Sequence, residues 1–296
     1  MVPIEENSPK MILITGANGK TGRAVLKALA DRGAEVKVLI RDADQWPKLK
    51  KLGAQVHFVG DMQKNTDVEA AVIGCDKVIH IGPPMHPAEK QITQSFIDAA
   101  RANNVQQFVY YSVMHPLRRG VRHHSLKLDA EELLIESGIP YTIVQPIRYM
   151  QHLLPIWQQV LDKGVHAMPF NTQVKFNVVD LLDLAEATAI VATEPGHLYA
   201  TYELAGPESL SQDDMASIIS KVIGKTVKAE AVSLEQLEEK ARAKGLNDDR
   251  VAQMLIMNKH YDECGFLGNP NVLSMILGRN PNTYKDFIAR LGKDKT

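Results

Sequence analysis

The chain has 296 residues, 45% apolar and 23% charged, with a formal net charge of −1. That length suits one large α/β domain with a smaller lobe, or two domains, and the apolar content supports a substantial core. The near-zero charge supplies no global field for nucleic acid or for an anionic membrane. Cys75 and Cys264 form neither a CxxC pair nor a metal-ligand spacing, which fits buried thiols in a reducing compartment. The first nine residues read as a loose tail without the basic-then-apolar pattern of a signal peptide, and no apolar run approaches the roughly 18 residues of a membrane span. A cytoplasmic protein is expected.

The first predicted strand, Met11–Thr15, leads into Gly16-x-x-Gly19-x-x-Gly22 and a helix over Thr21–Arg32, whose Val25, Leu26 and Leu29 share one face and whose stop is Gly33. This layout points backbone N–H groups and a helix N-terminus at one spot, where a pyrophosphate can sit. Gly16 is expected to make the tight turn. Gly19, next to Asn18, lets the backbone approach the phosphates, and Gly22 lets the helix pack closely. The Gly19-Lys20-Thr21 end of the turn resembles a triphosphate-binding loop, but that loop needs a glycine five positions earlier, where Ile14 stands. A dinucleotide is therefore the expected ligand.

Further strands are predicted at Val36–Ile40, Val56–Val59, Val78–Ile81, Phe108–Ser112 and Tyr141–Gln145. Helices fall between them at Val68–Ile73, Glu89–Asn103 and Leu126–Ser137. The alternation builds a parallel sheet with right-handed crossovers. After Pro146 the character changes. Met150–Val160 reads as an apolar helix, and Tyr202–Ala205 as a returning strand. Ser211 and Asp214 form a capping box before a helix that Gly224 stops. Glu235–Lys244 is a charged helix, and Val272–Leu291 carries spaced apolar residues. The expected division is a tail over residues 1–9, a dinucleotide-binding domain over 10–150, and a mostly helical substrate lobe over 151–296 that returns one or two strands to the main sheet.

The second strand ends in Arg41, followed by Asp42. An acidic residue there serves the ribose hydroxyls of NAD, whereas an arginine accommodates the 2′-phosphate of NADP bidentately. Arg41, supported by Lys20, favours NADP(H); Asp42 favours NAD. Asp61 and Met62 follow the third strand where an adenine edge is expected, and Gly82 and Pro83 follow the fourth near the dinucleotide path.

The glycine turn, Arg41, Gly60-Asp61-Met62, the Ser137–Thr142 stretch leading to Pro146, and Glu203–Pro207 before a capped helix together resemble the NmrA-like branch of the atypical short-chain dehydrogenases. The resemblance runs from about residue 10 to residue 291. It implies a Rossmann-type α/β fold, a doubly wound parallel sheet with a smaller C-terminal substrate lobe, and NADP(H) as cofactor, with Pro146 among the residues near it. The family holds reductases as well as non-catalytic NADPH sensors that act through a protein partner.

Short-chain dehydrogenases use Tyr-x-x-x-Lys with a serine on the preceding strand. Here the corresponding residues are His123, Lys127 and Ser112. Residues four apart share a helix face, so His123 and Lys127 can act together if the helix has started by residue 123. By the resemblance Lys127 binds the nicotinamide ribose, and its charge favours an oxyanion. A proton can come from His123, from Lys127, from Tyr149 or from solvent; Ser112 serves equally as a strand-end residue bonding the backbone. His115, His123 and His124 lack the carboxylate or cysteine that would complete a metal site. The loop Val113–Arg122, with Arg118, Arg119 and Arg122, is a candidate lid or a solvated basic loop. Tyr149, Met150, Leu153, Trp157 and Met168 suit an aromatic or carbonyl substrate, or a core. The sequence thus predicts an NADPH-dependent reductase of a carbonyl, quinone or related aromatic compound, with an NADP-sensing regulator and a redox-neutral isomerase or lyase as alternatives. It admits a homodimer.

Overall fold

The computed structural model describes residues 11–293, so the tail expected over residues 1–9 lies outside the described residues. The chain forms two compact units that interleave in sequence. One holds the segment ending at Ser112, Asp129–Val144 and Ala185–Thr201; the other holds Val113–Leu128, Gln145–Leu184 and the chain from Tyr202 onward.

The first half of the chain alternates strand and helix. Its elements are β1 (Ile12–Ile14), α1 (Lys20–Asp31), β2 (Val36–Ile40), α2 (Trp46–Lys51), β3 (Val56–Val59), α3 (Asn65–Val72), β4 (Lys77–His80), α4 (Glu89–Ala102), β5 (Gln107–Tyr111), α5 (Arg122–Glu136) and β6 (Tyr141–Pro146). The later elements are α6 (Trp157–Lys163), β7 (Val165–Met168), β8 (Phe176–Asn177), α7 (Leu181–Thr193), β9 (Ala200–Leu204), β10 (Ser209–Leu210), α8 (Gln212–Ile223), β11 (Lys228–Ala231), α9 (Leu234–Ala243), α10 (Asp248–Cys264), α11 (Asn271–Leu277) and α12 (Tyr284–Lys293).

The seven-stranded sheet runs β3-β2-β1-β4-β5-β6-β9. The pairings from β3 through β6 are all parallel. Parallel strands covered on both faces read as continuous apolar runs, and β1 and β5 are buried at every position. Strand order reverses between β1 and β4, and open α/β sheets present their ligand crevice outside the strand ends at such a switch point. The core of the first unit packs Phe96 and Ile97 of α4 against Val78 and Phe108, with Val68 and Val72 of α3 and Leu134 of α5.

Helix α7 has no predicted counterpart. It is apolar nearly all round, so no amphipathic stripe marks it. From Ala185 onward it belongs to the first unit. There Thr188 meets the Tyr111 hydroxyl at 2.8 Å, and the Val191 carbonyl accepts from Gln107 Nε2 at 2.9 Å. A helix buried on every side needs such satisfied polar groups, and its burial is what returns this part of the chain to the first unit.

The second unit pairs β7 with β11 in parallel and β8 with β10 antiparallel. The helix predicted over Met150–Val160 divides into a 3-10 segment, Met150–Ile156, and α6. Pro155 lacks the N–H of a regular α-helix, which accounts for the change of helix type there. Asp180 and Asp183 are fully buried and held by α12 and its approach. Arg290 and Asn282 bond Asp180, the latter at 3.1 Å, and Arg279 meets Asp183 at 2.8 Å. Burial nevertheless raises the Asp183 pKa, with these donors opposing it.

The expected capping box on α8 is present, with Ser211 accepting from the Asp214 N–H and Asp214 accepting from the Ser211 N–H. The ion pair with Lys175, then the Ser211 N–H, hold the Asp214 pKa down to about 2, from 3.8. A folded pKa below the unfolded one contributes stability above the unfolded value that is lost as pH falls through the folded one. Asp214→Asn is therefore expected to flatten the fall in Tm between pH 4 and pH 2. Because the Asp214 side chain is 41% exposed, the amplitude is under about 1 kcal/mol. Melting curves of both proteins across that range check it; identical slopes would remove Asp214 from the acid response.

Candidate active site

The glycine turn lies between β1 and α1 at the switch point. Gly16 has φ of +61°, and a Cβ there would lie 2.6 Å from the Ile81 carbonyl oxygen, so both backbone conformation and space demand glycine. A Cβ on Gly22 would lie 2.3 Å from the Gly16 carbonyl oxygen and 2.6 Å from the Ala17 Cα. The close approach made by Gly22 is thus to the turn itself. Gly19 is the N-cap, its N–H donates to the Gly16 carbonyl at 2.9 Å, and the first helical bond runs from Arg23 to Gly19. The N–H groups of Lys20, Thr21 and Gly22 precede that bond, and no acidic side chain occupies the first turn. Such a helix start attracts an anion through its free donors and its dipole. Asn18 and Lys20 are exposed at the turn.

Thr15 fastens the neighbouring strand ends. Its hydroxyl accepts from the Ile81 N–H at 2.9 Å and lies 3.0 Å from His80 Nδ1. The β4 exit, with Gly82 and Pro83, is thereby fixed beside the turn. Arg41 is exposed directly after β2. The Asp42 carboxylate instead accepts from the Asp44 N–H at 2.9 Å and caps a short 3-10 turn. Of the two residues that pointed to different cofactors, the acidic one is therefore engaged in backbone structure. Asp61 follows β3, accepting from the Gln63 N–H at 3.0 Å while its own N–H donates to Asp67. Met62 packs partly buried against the core of the first unit. These groups suit a dinucleotide: glycines where side chains would fill the cradle, free N–H donors for phosphate, and an unencumbered cation at the β2 tip.

Ser112 directly follows β5. Its N–H bonds the Val144 carbonyl at 2.9 Å, but its buried hydroxyl has no hydrogen-bond partner among the described residues. The alternative role of bonding the backbone through its side chain is thus not what the hydroxyl does. A buried polar atom without a partner calls for a reason, and a ligand hydrogen bond is one.

The second unit carries the remaining candidates. Helix α5 starts at Arg122, one turn before the predicted start, so His123 and Lys127 lie within it on a shared face. Lys127 is buried, 6% exposed, and His123 is half-buried. Pro146 ends β6, and its carbonyl accepts from the Met114 N–H at 3.0 Å. Tyr149 stacks its ring on His152, with centroids 5.5 Å apart. With Met150, Leu153 and Met168 it lines a partly open pocket; Trp157 is buried outside that lining.

His124, which the sequence reading placed beside His123 without a role, is structural. It is fully buried, with Nδ1 2.9 Å from the His115 carbonyl and Nε2 2.6 Å from the Tyr261 hydroxyl. Burial lowers its pKa to about 4, so it is neutral near pH 7. The arginine-bearing loop is tied down as well. Arg122 pairs with Asp249, and Arg118 bonds the Gly265 carbonyl at 3.3 Å and lies over the Phe266 ring. Two of the three arginines proposed for a lid or a solvated loop thus anchor it. Among the described residues no helix is long and apolar enough to cross a membrane.

Comparison with known proteins agrees with this geometry. An NAD(P)H azoreductase of Xenophilus azovorans is 29% identical over 285 residues, covering 94% of this chain and 96% of that protein. Quinone oxidoreductase 2 of Escherichia coli is 25% identical over 95% of this chain and 98% of its own. The crystal structure of an NADPH-dependent quinone oxidoreductase of Escherichia coli in complex with NADPH shares the fold, with a TM-score of 0.83 at 24% identity, over 95% of this chain and all of that one. The sequence profile of the NmrA-like family matches residues 8–280, and the chain belongs to that family.

Proposed function

We propose that the protein is an NADPH-dependent oxidoreductase that reduces a quinone, a carbonyl compound or a related aromatic acceptor by hydride transfer. The observation that carries this reading is the glycine turn at the switch point, with free first-turn N–H groups and no acidic side chain beside them. Two relatives matched over nearly their full lengths, named as an NAD(P)H azoreductase and a quinone oxidoreductase, support it.

Bound at that turn, NADPH supplies the hydride. Gly16, Asn18, Gly19, Lys20, Thr21 and Gly22 hold the pyrophosphate, and Arg41 holds the 2′-phosphate. Asp61 and Met62 flank the adenine, and Gly82 and Pro83 border the dinucleotide path. Lys127 positions the nicotinamide ribose, with Pro146 near it, and stabilises the oxyanion that reduction creates. Ser112 offers its unpartnered hydroxyl to the cofactor or to the acceptor. A proton comes from His123, Lys127, Tyr149 or solvent.

The direct test is to incubate the protein with NADPH and a panel of quinones, aromatic ketones and azo dyes, following the loss of NADPH absorbance. Turnover with an acceptor is expected. Tight NADP(H) binding without turnover on any acceptor would replace this reading by that of an NADP sensor.

Arg41→Ala is expected to weaken NADPH binding roughly 10- to 100-fold, the loss of a charge-assisted pair, while NADH binding changes little. Fluorescence titration with each cofactor measures both; equal losses would remove Arg41 from the 2′-phosphate.

A further inference from the structure

Among the described residues, the pocket of the second unit contains a cation without an anion. The Arg148 guanidinium lies over the Phe170 ring, 4.7 Å from its centroid, and 5.6 Å from that of Phe176. Its side-chain polar contact among the described residues is Nη2 to the Met168 sulfur at 3.7 Å, a weak acceptor. No carboxylate among the described residues bonds it, and the charges acting on it come from Tyr284 and Tyr261. Desolvation lowers its pKa to about 10, so it stays cationic at neutral pH.

Arg148 is half-buried; a guanidinium has five N–H donors, and a charge drawn partly out of water is ordinarily paired. Stacking on two rings supplies only part of what hydration gave up. The same pocket holds two buried groups left unmet among the described residues. His166 is 1% exposed and neither ring nitrogen has a partner of hydrogen-bonding geometry. Its pKa, lowered to about 4 by burial and then by Arg148 despite the nearby Gln212 backbone, leaves it neutral with one N–H to donate. Gln212, 2% exposed, donates from Nε2 to the Phe170 carbonyl, which leaves its buried Oε1 without a donor. Two buried polar side chains left unmet beside a half-buried cation and apolar ring faces describe a binding site for an amphiphilic molecule.

We propose that this cavity is a subsite for the carboxylate of a small aromatic acid, with Arg148 as its counter-ion. A carboxylate matches the planar fork of Arg148 bidentately. His166 adds an N–H donor, the Phe170 and Phe176 rings accept the aromatic body, and Gln212 Oε1 accepts from a hydroxyl beside the carboxylate. The inference deepens the reductase reading by assigning the acceptor an acidic group, and it rests on that reading only for the ligand's being a substrate.

The test is calorimetric titration with 2-naphthoate and its neutral amide, without NADPH, on the wild type and on Arg148→Met. The acid is expected to bind the wild type on the order of 10-fold more tightly than the amide, as loss of a partly buried charge pair implies, and Arg148→Met is expected to erase that preference. Equal affinities of acid and amide for the wild type would overturn the proposal, and this comparison decides it even if the variant does not fold. Retention of the preference in a folded Arg148→Met would overturn it as well. If the preference holds while no acceptor is reduced, the subsite stands and the reductase reading falls.

Discussion

Alanine at position 127 is expected to lower kcat/KM for quinone or aromatic acceptors roughly 100-fold or more, the range lost with a group that aids proton transfer or holds developing negative charge. Two observations direct that expectation to Lys127. It is 6% exposed, and lysines are rarely buried to that degree unless their charge is paired or put to use. It also shares a face of α5 with His123, because the helix begins at Arg122. The loss should fall on kcat if Lys127 stabilises the oxyanion, and on the KM for NADPH if it only positions the ribose. Rapid-mixing kinetics with circular dichroism as a check on folding measures this, and near-normal kcat and KM in a folded Lys127→Ala would take the residue out of the site. His123→Gln is the informative companion: a bell-shaped pH profile that loses one limb would assign the proton to His123, and an unchanged profile would leave it to solvent or another donor.

Gly22→Ala is expected to reduce NADPH affinity at least tenfold and to destabilise the fold by about 1–3 kcal/mol, the usual cost of overpacking. The added methyl would meet the Gly16 carbonyl oxygen at 2.3 Å and the Ala17 Cα at 2.6 Å, both backbone atoms with no rotamer to yield. Relief requires α1 to move away from the turn, carrying the first-turn N–H groups with it. Gly19→Ala is a graded control: its Cβ would sit 3.1 Å from the Gly16 oxygen, at an N-cap with extended backbone, so a smaller effect on stability follows. Thermal melts and cofactor titration of both variants check the order, and equal tolerance at the two positions would refute the close-approach role of Gly22.

Much of the glycine turn was legible because it is local. A strand, a turn that demands glycines and a helix start occupy about a dozen consecutive residues, and each announces itself through periodicity or backbone conformation. Chemistry in the second unit was less legible. His124 and His123 are neighbours in sequence, yet one is locked between the His115 carbonyl and Tyr261 while the other stays half-buried. Which histidine turns inward depends on where α5 begins and on a tyrosine 137 residues away. Arg148 carried no mark at all, since an arginine after a strand is ordinarily a solvated charge.

The sequence by itself determined the alternation that builds the parallel sheet, the three-glycine turn, the cation at the β2 tip and the capping box of Ser211 and Asp214, because each depends on a short stretch of chain. Only the tertiary structure decided that α7 rejoins the first unit, that Asp42 spends its carboxylate on the backbone, that Ser112 keeps an unpartnered hydroxyl, and that Arg148 lies in an apolar cavity without a carboxylate. These depend on which distant groups arrive, or fail to arrive, beside a buried polar atom. Local periodicity carries no record of that, whereas the cost of leaving a buried group unmet makes it a guide to what the site binds.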